Sequence, residues 1–142
     1  MKIVVIICLI VVVVGSIYLM FQDHLPPRTP QKIARLLSQL PINRSANVKI
    51  FEDQWSEFNG NGASYIVLEL DKNNFENVNQ AARELGYRPL PIAENIYGPL
   101  KDYMIDKQGV YRVLIDDEES MSFTGVVLSE TDHSVAVYFA VN

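Results

Sequence analysis

The segment SFTGVVLSETDHSVAVYFAV, residues 122–141, decides the fold class. Two runs rich in Val, Phe and Tyr, 122–129 and 134–141, flank the polar residues Glu130, Thr131, Asp132 and His133. β-Branched and aromatic residues suit a pleated, half-buried surface, and a short polar break between two such runs predicts a hairpin. Towards the N-terminus, Val110 to Asp116 predicts another strand. Residues 47–55 and 63–71 predict two more, joined across Asn59-Gly60-Asn61-Gly62, residue types that tolerate positive φ. Alternation in 63–71 sets Ile66, Leu68 and Leu70 on one face and Tyr65, Val67, Glu69 and Asp71 on the other.

Helical spacing fills the gaps. Thr29 reads as an N-cap with Pro30 at the first helical position. The helix predicted from there to about Leu40 carries Ile33, Leu36, Leu37 and Leu40 at i, i+3, i+4, i+7, a stripe expected to face the core. Asn73 with Glu76 resembles a capping box, and a helix follows with Phe75, Val78, Ala82 and Leu85 inward and Gly86 as its stop. Residues 87–109 are broken by Pro89, Pro91, Gly98, Pro99 and Gly109, with a short helix near 100–106. Consecutive strands with short turns pair antiparallel. The fold class is therefore α+β: an antiparallel sheet of about five strands, one face packed with one or two helices.

Ile3 to Phe21 is a 19-residue run without charge, interrupted only by Gly15 and Ser16. At about 1.5 Å per residue it matches the thickness of a hydrocarbon core, which predicts an N-terminal transmembrane helix. A cleaved signal peptide is the competing reading, but its apolar core is usually about 7–15 residues. The organisation expected is a transmembrane anchor over 1–21, a Pro-rich linker over 22–30 and a soluble α+β domain over 31–142. Arg28, Lys32 and Arg35 after the span favour a cytoplasmic domain by flanking charge. The Met-Lys start before a long apolar run has the look of an export signal, and on that ground an extracytoplasmic domain is expected: a single-pass protein facing the periplasm or cell surface.

The chain has 142 residues, 49% hydrophobic, 10% aromatic and 20% charged, which excludes a disordered tail, a collagen, a disulfide scaffold and a large multidomain enzyme. The net charge of −5 argues against a nucleic-acid partner. That charge is unevenly spread. Residues 22–50 carry five Lys or Arg and one Asp, whereas 51–142 carry six Lys or Arg and sixteen Asp or Glu. Basic charge thus lies nearest the expected membrane, and Arg28, Lys32 and Arg35 are candidate lipid-headgroup contacts.

Chemical motifs are absent. There is no phosphate loop, dinucleotide fingerprint or nucleophile elbow, and Cys8, inside the apolar run, is the only cysteine. His24 falls at the membrane boundary and His133 in a turn, so no metal pair forms and no cofactor is expected. Ser129, Asp132, His133 and Ser134 are neighbours in one turn, where side chains fan outward rather than converge. Asn43-Arg44-Ser45 is a formal glycosylation sequon. Asp116, Asp117, Glu118 and Glu119 form an acidic run that lacks calcium-loop spacing and reads as a solvated loop or a docking patch for a basic protein. Tyr65 joins the candidate interaction residues if its sheet face is open.

The segments Leu40-Pro-Ile-Asn-Arg-Ser-Ala-Asn-Val48 and Ala63-Ser-Tyr-Ile-Val-Leu-Glu-Leu-Asp71 resemble those of a loose class of small bacterial lipoproteins and membrane-tethered proteins, although the lipoprotein Cys is missing. The resemblance implies a bacterial envelope setting and no catalytic residues. The function expected is a membrane-anchored, non-catalytic protein-binding or interaction module of the cell envelope, such as an immunity-type protein or an accessory subunit. The alternatives are a structural subunit of a membrane assembly and a metal-assisted hydrolase built on Glu52, Asp53 and Asp116.

Overall fold

The computed structural model describes residues 2–22, 28–56, 60–117 and 122–141, with side chains from Val5 onward and none at 116 and 117. Helix α1 spans Lys2–Phe21 and α2 spans Pro30–Ser38. Strands β1 (Asn47–Trp55) and β2 (Gly62–Glu69) precede α3 (Lys72–Glu84), β3 (Arg88–Pro89) and α4 (Leu100–Tyr103). The chain continues through β4 (Gly109–Asp117), β5 (Ser122–Ser129) and β6 (Ser134–Val141). The strands form one antiparallel sheet in the order β1-β2-β6-β5-β4-β3. The α+β class and the antiparallel sheet are as the sequence predicts. The sixth strand is the two-residue β3, which the prolines of 87–109 hide.

The hairpin turn between β5 and β6 holds, with Val126 opposite Val137 and Leu128 opposite Val135. These residues and Ile66 and Leu68 of β2 form one core face with α2 and α3. Alternate residues Tyr65, Val67, Val127, Ala136 and Tyr138 point to the other face. That face is not open. Ile96 and Leu100 lie buried over it, with Leu90, Ile92, Tyr97 and Tyr103 around them, so the irregular segment forms a third layer. Leu100 rests on Gly125, where a Cβ would stand 2.5 Å from Leu100 Cδ1. Burial of a leucine there favours the closed layer by about 2–3 kcal/mol.

The helices differ from expectation in detail. In α2 the residues against the sheet are Ala34 and Ser38, with Ile33 and Leu37 at its flanks, while Leu36 is 39% exposed. Small residues at i and i+4 let the helix approach closely, and the buried Tyr87 hydroxyl donates to the Ser38 carbonyl at 2.9 Å. Gln39 adopts a left-handed conformation and ends the helix, so Leu40 is buried beyond it. Thr29 caps α2 as predicted, accepting from Lys32 N. For α3 the cap is Asp71, whose carboxylate accepts from Asn74 N at 2.9 Å, rather than Asn73. Phe75, Val78 and Ala82 face inward as expected, but Leu85 is exposed.

α1 packs substantially on no other element. Its large apolar side chains from Val5 to Phe21 are 47–77% exposed on every face. Among the described residues no helix is long and apolar enough to cross a membrane. The expected transmembrane helix is unsupported on that count.

Candidate functional site

The exposed feature of the domain is β1. As an edge strand it hydrogen-bonds only to β2, and all nine of its residues are exposed. Val48, Ile50, Phe51 and Trp55 add apolar surface to that edge. Directly opposed residues of an antiparallel pair share a face. Phe51 opposite Ile66 and Asp53 opposite Ser64 therefore turn towards α2, and Glu52 opposite Tyr65 turns towards the third layer. A bulge at Lys49 interrupts the register, and its ammonium pairs with Glu69 at 2.6 Å. That bond, with one from Asn47, holds the Glu69 carboxyl below its usual range.

Between β1 and α2 runs a groove of about 370 Å³, lined by Ile33, Leu36, Leu37, Trp55 and Phe139, with Arg28, Asp53 and Ser64 as its polar members. Trp55 lies across Gly62, where a Cβ would be 2.8 Å from its ring, and meets the Phe139 ring at 5.7 Å. The indole Nε1 donates to Asp53 Oδ1 at 2.6 Å, and Ser64 Oγ also donates to Asp53. The groove thus has apolar walls and one carboxylate held by two donors.

On the other flank of α2, Arg35, Asn43, Arg44 and Ser45 line a shallow concavity of about 670 Å³. Arg35 Nη1 donates to the Ile42 carbonyl at 3.0 Å. Asn74 fixes the loop from below: its Oδ1 accepts from Asn43 N and its Nδ2 donates to the Pro41 carbonyl, both at 2.9 Å. Of the expected headgroup contacts, Arg28 borders the groove, Lys32 lies on α2 between the two flanks, and Arg35 lines the concavity.

The remaining candidates do not converge. Tyr65 is 8% exposed beneath the third layer, which corrects the expectation of an open face there. Burial and the nearby charges of Glu52 and Asp102 push its hydroxyl up to about 12. Asp116 and Asp117 end β4, Asp117 opposite Ser122, and their side chains lie outside the described residues, as do Glu118 and Glu119 altogether. Glu52 and Asp53 turn to opposite faces of β1, so the carboxylate pair of the hydrolase reading diverges. Among the described residues no group of three His, Cys, Asp or Glu is arranged to hold a metal.

The β5–β6 turn is a latch rather than a catalytic constellation. Asp132 accepts from Lys107 Nζ and from Ser134 Oγ, each at 2.6 Å, and Tyr103 bonds Ser134. His133 instead stacks on Phe75 of α3, with ring centroids 4.6 Å apart. Partial burial works against the Asp132 carboxylate, but the Lys107 and Ser134 bonds outweigh it and hold its pKa down at about 2. Burial pushes the Tyr103 hydroxyl well above its ordinary value. The latch pins α4 and the following turn to the sheet.

Sequence reading missed the α2–β1 groove, although a Trp followed by an Asn-Gly-rich turn hints at a side chain folded over glycine. Comparison with known protein families, curated proteins and solved structures finds no match.

Proposed function

We propose that this chain is a membrane-anchored, non-catalytic binding module of a bacterial envelope, whose β1 edge takes an extended segment of a partner protein. The observation that carries the reading is β1 itself: nine exposed residues, one side unpaired, with Val48, Phe51 and Trp55 exposed towards the α2 face and Ile50 towards the other. An edge of that length and composition is a template for strand addition, in which backbone bonds supply affinity and alternate side chains supply selectivity. The acidic excess of residues 51–142 favours a partner with basic residues.

Support for the anchor comes from α1. Its backbone runs 20 residues, about 30 Å. An apolar helix exposed on every face, which packs substantially on no other described element, has a hydrocarbon environment as its natural partner. An extracytoplasmic domain is part of this proposal, and a compartment-sensitive reporter fused after Asn142 tests it: activity outside supports it and activity inside overturns it.

A photoreactive residue at Phe51 of the full chain, in membranes of the cell that makes it, tests the binding edge. One adduct of fixed mass is expected, absent when the same residue stands at Glu84 on α3, and lost when Val48 and Ile50 become lysine. Equal labelling at both positions, or an adduct indifferent to the lysines, would falsify the reading.

A further inference from the structure

The basic segment beside the groove has a further use, on a face that meets the β1 edge at Trp55. From Arg28 to Phe51 the chain has five Lys or Arg and no Asp or Glu. On α2, Lys32 and Leu36 are four residues apart and so share one face, turned away from Ala34 and Ser38. One flank of that ridge is the apolar groove with Trp55, 42% exposed. The other is the Arg35–Arg44 concavity, held rigid by Asn74. An apolar centre bordered by long cationic side chains is what a headgroup layer accommodates: rings and leucines sink to the acyl boundary while Lys and Arg reach the phosphates.

We infer that the outer face of α2, with Trp55 and the 43–45 loop beside it, docks on anionic lipid headgroups of the bilayer that holds α1. The inference rests on the anchor reading above. Its physical arguments are charge and reach. Nine residue steps separate Phe21 from Pro30, at most about 32 Å fully extended, so α2 begins within that distance of the end of α1. Such a leash gives an effective concentration in the millimolar range, and weak lipid affinity then suffices. Asp53 is the carboxylate in the groove; its Oδ1 is engaged by Trp55 and Ser64, and the five Lys and Arg of 28–51 outnumber it. Asp116 and Asp117, which end β4, lie four strand spacings from β1, about 19 Å across the sheet.

Trp55 is the only tryptophan of the chain, so its emission reports this face alone. The full chain is reconstituted into vesicles of acyl-brominated phosphatidylcholine, with or without phosphatidylglycerol, washed with alkaline carbonate and floated. Flotation reads the anchor, and bromine quenching of Trp55 reads docking. The expected result is flotation in both lipids with quenching only where phosphatidylglycerol is present. Quenching should vanish near about 1 M salt, where the screening length is about 3 Å. Lys32→Gln, Arg35→Gln and Arg44→Gln together should weaken docking about a hundredfold, from about fivefold per basic residue at an anionic surface. The salt arm stands independently if that variant misfolds. Flotation without quenching, or quenching equal in both lipids, overturns the docking inference and leaves the anchor intact. Failure to float overturns both.

Discussion

Replacing Asn74 with alanine should loosen the loop that carries Arg44. Asn74 is 4% exposed and satisfies two backbone groups of that loop, Asn43 N–H and the Pro41 carbonyl, each at 2.9 Å. Alanine leaves a donor and an acceptor without partners in a partly buried site. Each such group costs about 1–3 kcal/mol, and because the loop side admits some water the pair should cost about 2–4 kcal/mol. Urea unfolding of the full chain in detergent, followed by Trp55 emission, measures the loss as a lower midpoint at unchanged slope. Asn74→Asp sharpens the test. It keeps the acceptor for Asn43 N–H but turns an anionic oxygen on the Pro41 carbonyl. Its loss should match or exceed that of alanine at neutral pH and shrink, relative to the parent at the same pH, once the carboxyl protonates and can donate. A loss below about 0.5 kcal/mol for alanine, the range of ordinary surface changes, would mean that water replaces the amide and that the loop is not held as argued.

Two further predictions concern the third layer. Leu100→Ala should cost about 2–5 kcal/mol, the range for emptying a fully buried leucine site, and Gly125→Ala should also destabilise because its Cβ meets Leu100. Together they should cost less than their sum, since the new methyl occupies the space the leucine leaves; strict additivity in a double-mutant cycle refutes the contact. Asp132→Asn should weaken the latch in a pH-dependent way. The folded carboxyl titrates near about 2 against 3.8 for the free group, so its contribution is complete above about pH 4 and fades as pH falls through about 2. The stability gap between parent and variant, measured by thermal melts across that window, should close on acidification, and a gap constant with pH excludes the ion pair as its source.

The sheet was legible because its strands announce themselves by composition. Val126, Leu128, Val135 and Val137 alternate with residues of the opposite face, and the polar turn fixes their register. The third layer was not, because 87–109 lacks a repeating pattern. Its grip comes from scattered single contacts, Ile96, Leu100 and the Tyr103–Ser134 bond, each separated from its partner by many residues. For the same reason Tyr65 read as a surface residue. The α2 stripe misled by its leucines: hydrophobicity marked Leu36, while close approach to the sheet selected Ala34 and Ser38, which a hydropathy pattern undervalues. Of the site, the cations were readable as charge, but the groove depends on Trp55 folding across Gly62, a tertiary event.

The central position of β6 has a bearing on how such a chain is made. β1 and β2 form one half of the sheet, and β3, β4 and β5 the other, and β6 alone joins them. Until residues 134–141 have left the ribosome, the sheet is two fragments with open inner edges. α1 is synthesised long before that point. Anything that engages α1 during synthesis therefore meets a chain whose two half-sheets have not yet joined, and the six-stranded sheet closes only when β6 is added.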